Sequence, residues 1–144
     1  MSESTQTSAK QRPEFRNIDF PSLLSYRWPI ASLASGMHRV SGAFLFLMMP
    51  FIIWMFDNSV SSEISFLKFR AAFEVGFLGF FLKLVALGIT WASLHHFIAG
   101  LRHLYMDTHH DKVNKDFGRQ TAAVVLALTG LLTVVLGAKL FGLY

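Results

Sequence analysis

The chain has 144 residues, 53% of them hydrophobic, with 15 Phe, no cysteine, only 15% charged residues and a formal charge of +4. That is too apolar for an ordinary soluble domain of this size, and without thiols the chain builds no disulfide framework and no thiolate metal or iron–sulfur site of its own. The basic residues sort by loop instead of forming one patch, so nucleic acid is not the partner they imply.

The apolar residues fall in three blocks, roughly Ile30 to Phe56, Val75 to Leu101 and Ala122 to Phe141. Each block is long enough to cross a hydrocarbon core of ~30 Å at ~1.5 Å per residue. The expected architecture is an all-α membrane protein with three transmembrane helices, about 30–56, 75–103 and 121–141. A tail and interfacial segment over 1–29 precedes this 30–144 transmembrane domain. Lys10, Arg12, Arg16 and Arg27 precede the first span, and Arg102, Lys112, Lys115 and Arg119 lie in the second loop. The opposite side holds Lys68, Arg70 and Lys139, so the positive-inside rule puts the N-terminus in the cytoplasm and the C-terminus outside. The first eleven residues show neither a transit-peptide nor a signal-peptide pattern, which favours a bacterial cytoplasmic (inner) membrane.

In chain order, Met1 to Gln11 reads as a disordered polar tail. Arg12 to Pro29 mixes charges, three prolines and Phe15, Phe20, Tyr26 and Trp28, as suits an interfacial segment better than a stable helix. Pro29 fits the first turn of the helix that follows. The first span opens with Ser32, Ser35, His38, Arg39 and Ser41. An arginine ~13 Å beyond Pro29 is costly facing lipid, so Arg39 must face a partner, a cavity or an anion. Ser32, Ser35, Arg39 and Gly42 share one helix face, with His38 on its flank. Trp54 reads as an anchor at the far interface. Asp57 to Glu74 is a short outer loop, with an amphipathic turn around Phe66 to Phe73. Lys83 snorkels or lines the bundle near the outer end of the second span. In the third span Ala123, Ala127, Gly130, Thr133 and Gly137 make a small-residue packing stripe.

The second span ends in His96-Phe97-Ile98-Ala99-Gly100-Leu101-Arg102-His103-Leu104-Tyr105-Met106-Asp107. His96, Gly100 and His103 share a face, with a gap at Gly100 between the two imidazoles. Gly88, Ala92, His96 and Gly100 form a groove that a neighbouring helix or a flat ligand can enter, while His95 points about 100° away. Imidazole is a haem-iron ligand, and low-spin b-type haem takes two. His96 is therefore the candidate axial ligand, with Arg39 at a similar depth as a cation for the propionates. A second ligand from this chain would be His38 or His103; His103 lies ~10 Å along the same helix, too far to complete the same iron, and a ligand from another subunit is the expectation. Asp107, His109, His110 and Asp111 have poor spacing for zinc, and no serine-nucleophile, phosphate-loop or HExxH motif is present.

Ser35-Gly36-Met37-His38-Arg39-Val40-Ser41-Gly42 resembles the Ser-x-x-His-Arg-x-Ser/Thr-Gly motif of the cytochrome b membrane-anchor subunit of succinate dehydrogenase. His96 to Asp107 resembles that family's His-x3-Gly-x-Arg-His-x3-Asp motif, and Arg12-Pro13 its opening Arg-Pro. Glu14 replaces the usual apolar residue after Arg-Pro, and His109 a small one. The resemblance implies respiratory complex II: a flavoprotein subunit that oxidises succinate, an iron–sulfur subunit, and two membrane anchors sharing one haem b and a ubiquinone site. By position, His96 is then the axial ligand, with the other histidine from the second membrane-anchor subunit. His38 and Arg39 lie near the propionates, and Ser35 and Arg39 face the quinone. Rival readings are the anchor of a quinol:fumarate reductase, a haem-free structural anchor, and a small transporter, for which the third span offers only Thr129 and Thr133 as polar residues.

Overall fold

The computed structural model describes residues 18–74 and 76–144. The expected polar tail and the Arg12-Pro13 motif lie outside the described residues. The element order is α1 (Phe20–Ser25), α2 (Ile30–Val60), α3 (Glu63–Ala72), α4 (Gly76–Thr108), a 3-10 turn (His110–Lys112) and α5 (Lys115–Leu140). The helices α2, α4 and α5 are each long and apolar enough to cross a membrane, and they pack as an antiparallel bundle. This is a multi-pass membrane protein of the all-α class.

Local chemistry sets the boundaries. Pro29 caps α2 at φ −59° and ψ 142°, just before the first turn in which the sequence reading seats it. Contrary to expectation, Phe20–Ser25 forms a short helix of six residues, with Pro21 at its start and every residue exposed. Proline is pre-organised for that position, and the Trp28 indole N–H closes the turn by donating to the Leu23 carbonyl. The outer loop is shorter than expected. α2 continues to Val60, and α3 starts in a capping box in which the Ser62 and Ser65 side chains bond each other's backbone N–H. At the other end of the bundle Asn114 caps α5 by accepting from the Phe117 N–H. α5 stops in a Schellman arrangement: Gly142, at φ +74°, donates to Lys139 and Leu143 donates to Ala138.

The core between α2, α4 and α5 is thin: Ala34, Ile89, Ala92, Ala99, Ala122 and Val125, with the buried polar residues Ser41, His95 and Thr129. Small residues let the helices approach closely. The Gly88–Ala92–His96–Gly100 groove is taken up by α2: a Cβ on Gly88 would meet Phe44 at 3.6 Å, and one on Gly100 the His38 ring at 3.6 Å. The expected stripe on α5 is corrected in part. Gly137 is buried against Leu87, but Ala123, Ala127 and Gly130 face outward. The buried face runs instead through Ala122, Val125 and Thr129, about 100° round the helix. Lys83 is half-buried, with its ammonium 5.9 Å from the Phe141 ring centroid. Trp54 packs on Phe51 and Phe69, tying α2 to α3.

Candidate functional site

At the loop end of α4, three imidazoles form a row. His38 of α2 stacks on His96 with ring centroids 4.2 Å apart and 15° between planes, and its other neighbour is His103 at 5.1 Å. The gap at Gly100 that the sequence places between His96 and His103 is thus filled by the His38 side chain.

His96 is held from one side. Its Nδ1–H donates to the His38 carbonyl at 3.2 Å and lies 3.4 Å from Ser41 Oγ. The Ser41 hydroxyl itself donates to that same carbonyl at 2.8 Å. A carbonyl only accepts, so this partner fixes the proton on Nδ1 and leaves Nε2 with a lone pair. Gly42 makes the approach possible, because a Cβ there would stand 2.8 Å from His96 Cε1 and 3.1 Å from Nδ1. An imidazole anchored at Nδ1 by a backbone carbonyl, with Nε2 free, is the donor set an axial metal ligand needs. The two rings stack side by side and are not end-on and opposed. Among the described residues there is no group of three or more His, Cys, Asp or Glu side chains placed to hold a metal ion.

Ser35 and Arg39 come together as expected. With Ser32 and Trp28, they line an open groove of about 460 Å³ whose other wall is Arg102, His103 and Met106 of α4. Arg39 is exposed, Ser35 half-buried, and among the described residues no carboxylate pairs with Arg39. The groove therefore brings together a hydroxyl, a guanidinium and an indole.

The sequence reading missed four contributors. Arg102, assigned to the loop charges, is inside α4 and joins α4 to α5: Nε donates to Thr121 Oγ1 at 2.9 Å and a terminal nitrogen to the Gly118 carbonyl at 3.2 Å. Trp28, an interfacial aromatic by its sequence position, also lines the groove of Ser35 and Arg39. Ser41, fully buried, is the second support of His96, and its signal was its spacing three residues after His38. His95, set aside as facing elsewhere, is fully buried, with Nε2–H donating to the Ala34 carbonyl at 3.3 Å. The 100° step from His96 does carry it to a different contact, but that contact is also on α2.

Residues 9–136 match the family described as succinate dehydrogenase/fumarate reductase transmembrane subunit. A succinate dehydrogenase cytochrome b556 subunit of Paracoccus denitrificans is 34% identical over 87 residues, 60% of this chain and 64% of that protein. The cytochrome b556 subunit of the same name from Coxiella burnetii is 32% identical over 91 residues, 63% of this chain and 68% of that protein. The chain thus spans just under two thirds of the Paracoccus protein's length. With three membrane-length helices and both sequence motifs at one end of the bundle, the chain belongs to the succinate dehydrogenase/fumarate reductase transmembrane subunit family, as a cytochrome b membrane anchor.

Proposed function

We propose that this chain holds haem b on His96 and contributes Ser35 and Arg39 to a ubiquinone-reduction site, as an anchor of a membrane-bound succinate dehydrogenase. The observation that carries the reading is His96, whose Nδ1 is tied to the His38 carbonyl and whose Nε2 is left to ligate. In this reading the second axial histidine belongs to a second membrane-anchor subunit, which completes the bundle. The iron–sulfur and flavoprotein subunits dock on the cytoplasmic side and supply electrons from succinate. The relatives' names favour succinate oxidation over fumarate reduction.

When bound, haem b supplies a one-electron redox centre close to the quinone groove. The rest falls to this chain. Reduction of a quinone to quinol takes two electrons and two protons, and negative charge builds on a carbonyl oxygen before protonation. A guanidinium donor positioned there stabilises that charge, and a hydroxyl donor orients the ring. Arg39 fits the first role and Ser35 the second, with Arg39 and His38 also available to the haem propionates. The developing charge offsets the cost of keeping a cation at this depth.

Arg39→Leu is expected to lower succinate–quinone turnover by ~10²-fold, the typical loss of one preorganised donor, and Ser35→Ala more mildly. The check is the ratio of quinone to soluble-dye reduction by the assembled complex. Quinone turnover should fall while succinate–dye electron transfer persists. A fall of both together reassigns Arg39 to assembly, and a fall of neither moves the quinone elsewhere.

A further inference from the structure

Two buried polar atoms in the described structure have no partner: His95 Nδ1 and Thr129 Oγ1. The residues are 0% and 2% exposed, and an unpaired polar atom at such a place costs free energy that a fold avoids. His95 Nε2 carries its proton, because it donates to the Ala34 carbonyl. Nδ1 is therefore a bare acceptor. Its ring lies flat against Trp91, centroids 5.7 Å apart, and a flip of the ring gives up the bond to Ala34.

Thr129 is unusual in its own way. Thr90, Thr108, Thr121 and Thr133 all donate to the carbonyl four residues earlier, the usual resting place of a threonine hydroxyl in a membrane helix. Thr129 alone of the described threonines does not. Its donor is free for the core. Arg102 meets Thr121 and Leu87 meets Gly137, and this antiparallel register sets Thr129 level with His95. One free donor and one free acceptor thus share a level of the bundle core.

We infer that the Thr129 hydroxyl donates to His95 Nδ1 through one buried water, completing a chain from α5 through His95 to the Ala34 carbonyl of α2, and that this chain positions the quinone-facing edge of α2. The geometry of α2 supports the role. His95 and His96, neighbours on α4, hold the carbonyls of Ala34 and His38, one helical turn apart. Ser35 and Arg39 are the residues immediately after those two fixed points. His95 is thus a positioning residue that touches neither iron nor quinone, and its kinetic consequence rests on the quinone site proposed above.

The test uses the purified membrane complex carrying His95→Phe, His95→Gln, Thr129→Val and the His95→Phe/Thr129→Val pair. His95→Phe should raise KM for quinone about three- to tenfold, the effect of one lost hydrogen bond, with kcat and the haem spectrum unchanged. His95→Gln, which keeps a donor toward Ala34, should return KM to within about twofold of the parent. Thr129→Val should raise KM in the same direction, and the pair should equal His95→Phe alone, since coupled sites are not additive. Hydrogen exchange of the Ser35–Gly42 amides should quicken in His95→Phe and stay unchanged in Arg39→Leu. Unchanged KM and unchanged exchange in His95→Phe overturn the positioning role. Additive effects of the pair overturn the link to Thr129. Faster exchange with unchanged KM keeps the chain and instead overturns the assignment of quinone to this edge.

Discussion

At the scale of single residues, the site depends on how closely α2 and α4 approach at one glycine. Gly42 is where a Cβ would meet the His96 ring at 2.8 Å, and that ring cannot retreat without giving up the His38 carbonyl. Overpacking of this kind typically costs about 1–3 kcal/mol, and here the group displaced is the imidazole proposed above as the haem ligand. Gly42→Ala should therefore diminish the reduced-minus-oxidised b-type absorbance of the assembled complex, and His96→Ala should remove most of it. Gly130→Ala, where an added Cβ has nothing within 4 Å, should leave the spectrum as it is. An unaltered spectrum in His96→Ala, with substitute ligands excluded, would remove His96 from the iron.

At the scale of helices, α4 is the hub, gripping α2 through His95 and His96 and α5 through Arg102. Arg102 makes two charge-assisted bonds to α5, to Thr121 and to Gly118. Its removal strands two acceptors at a half-buried contact. Hydrogen bonds to charged groups are worth about 1.5–3 kcal/mol each, so Arg102→Leu should lower the thermal unfolding midpoint of the detergent-solubilised chain by several degrees. Thr121→Val, which removes one bond of the two, should lower it less, and the double variant should fall short of the sum. Equal midpoints for Arg102→Leu and the parent would mean the guanidinium is solvated in place of bonded. Pro50 illustrates the opposite case, a residue with no backbone donor inside α2 across which the helix nonetheless continues. A membrane helix tolerates that gap because its neighbours keep the remaining backbone groups paired.

At the scale of the whole molecule, most of the apolar surface points outward. In the most apolar stretch of α2 only 6% of residues are buried within the chain, so lipid or another chain must cover Phe46, Leu47, Ile53 and Phe56. Charge sets the expected orientation. The polar site lies at the end where α4 and α5 meet through a loop carrying Lys112 and Lys115, the end the positive-inside rule assigns to the cytoplasm. Reporter fusions at Ser62 and at Tyr144 should both register as external, and a cytoplasmic signal at either would reverse the topology.

Hydropathy and local motifs, read from the chain alone, determined the number of spans, the helical class and the pair of motifs that mark the family. They did so because a bilayer demands about 20 apolar residues per crossing whatever the partner, and because His, Arg and Ser at helical spacing inside such a stretch are too costly to be incidental. What only the tertiary structure decided is which helix faces meet. Periodicity put His96 and His103 on one face of α4 but carried no information that His38 would enter the gap between them. It placed Ala123, Ala127 and Gly130 on a plausible packing stripe, and α5 turned a neighbouring face inward. The partner of His95 on α2 is hidden from periodicity for the same reason. A helix residue's direction is fixed by its own sequence position, whereas its partner is fixed by how another helix is rotated against it, and in a bundle this apolar many rotations bury similar area. The close approach at Gly42, the carbonyls of Ala34 and His38, and the Arg102–Thr121 bond select one of them.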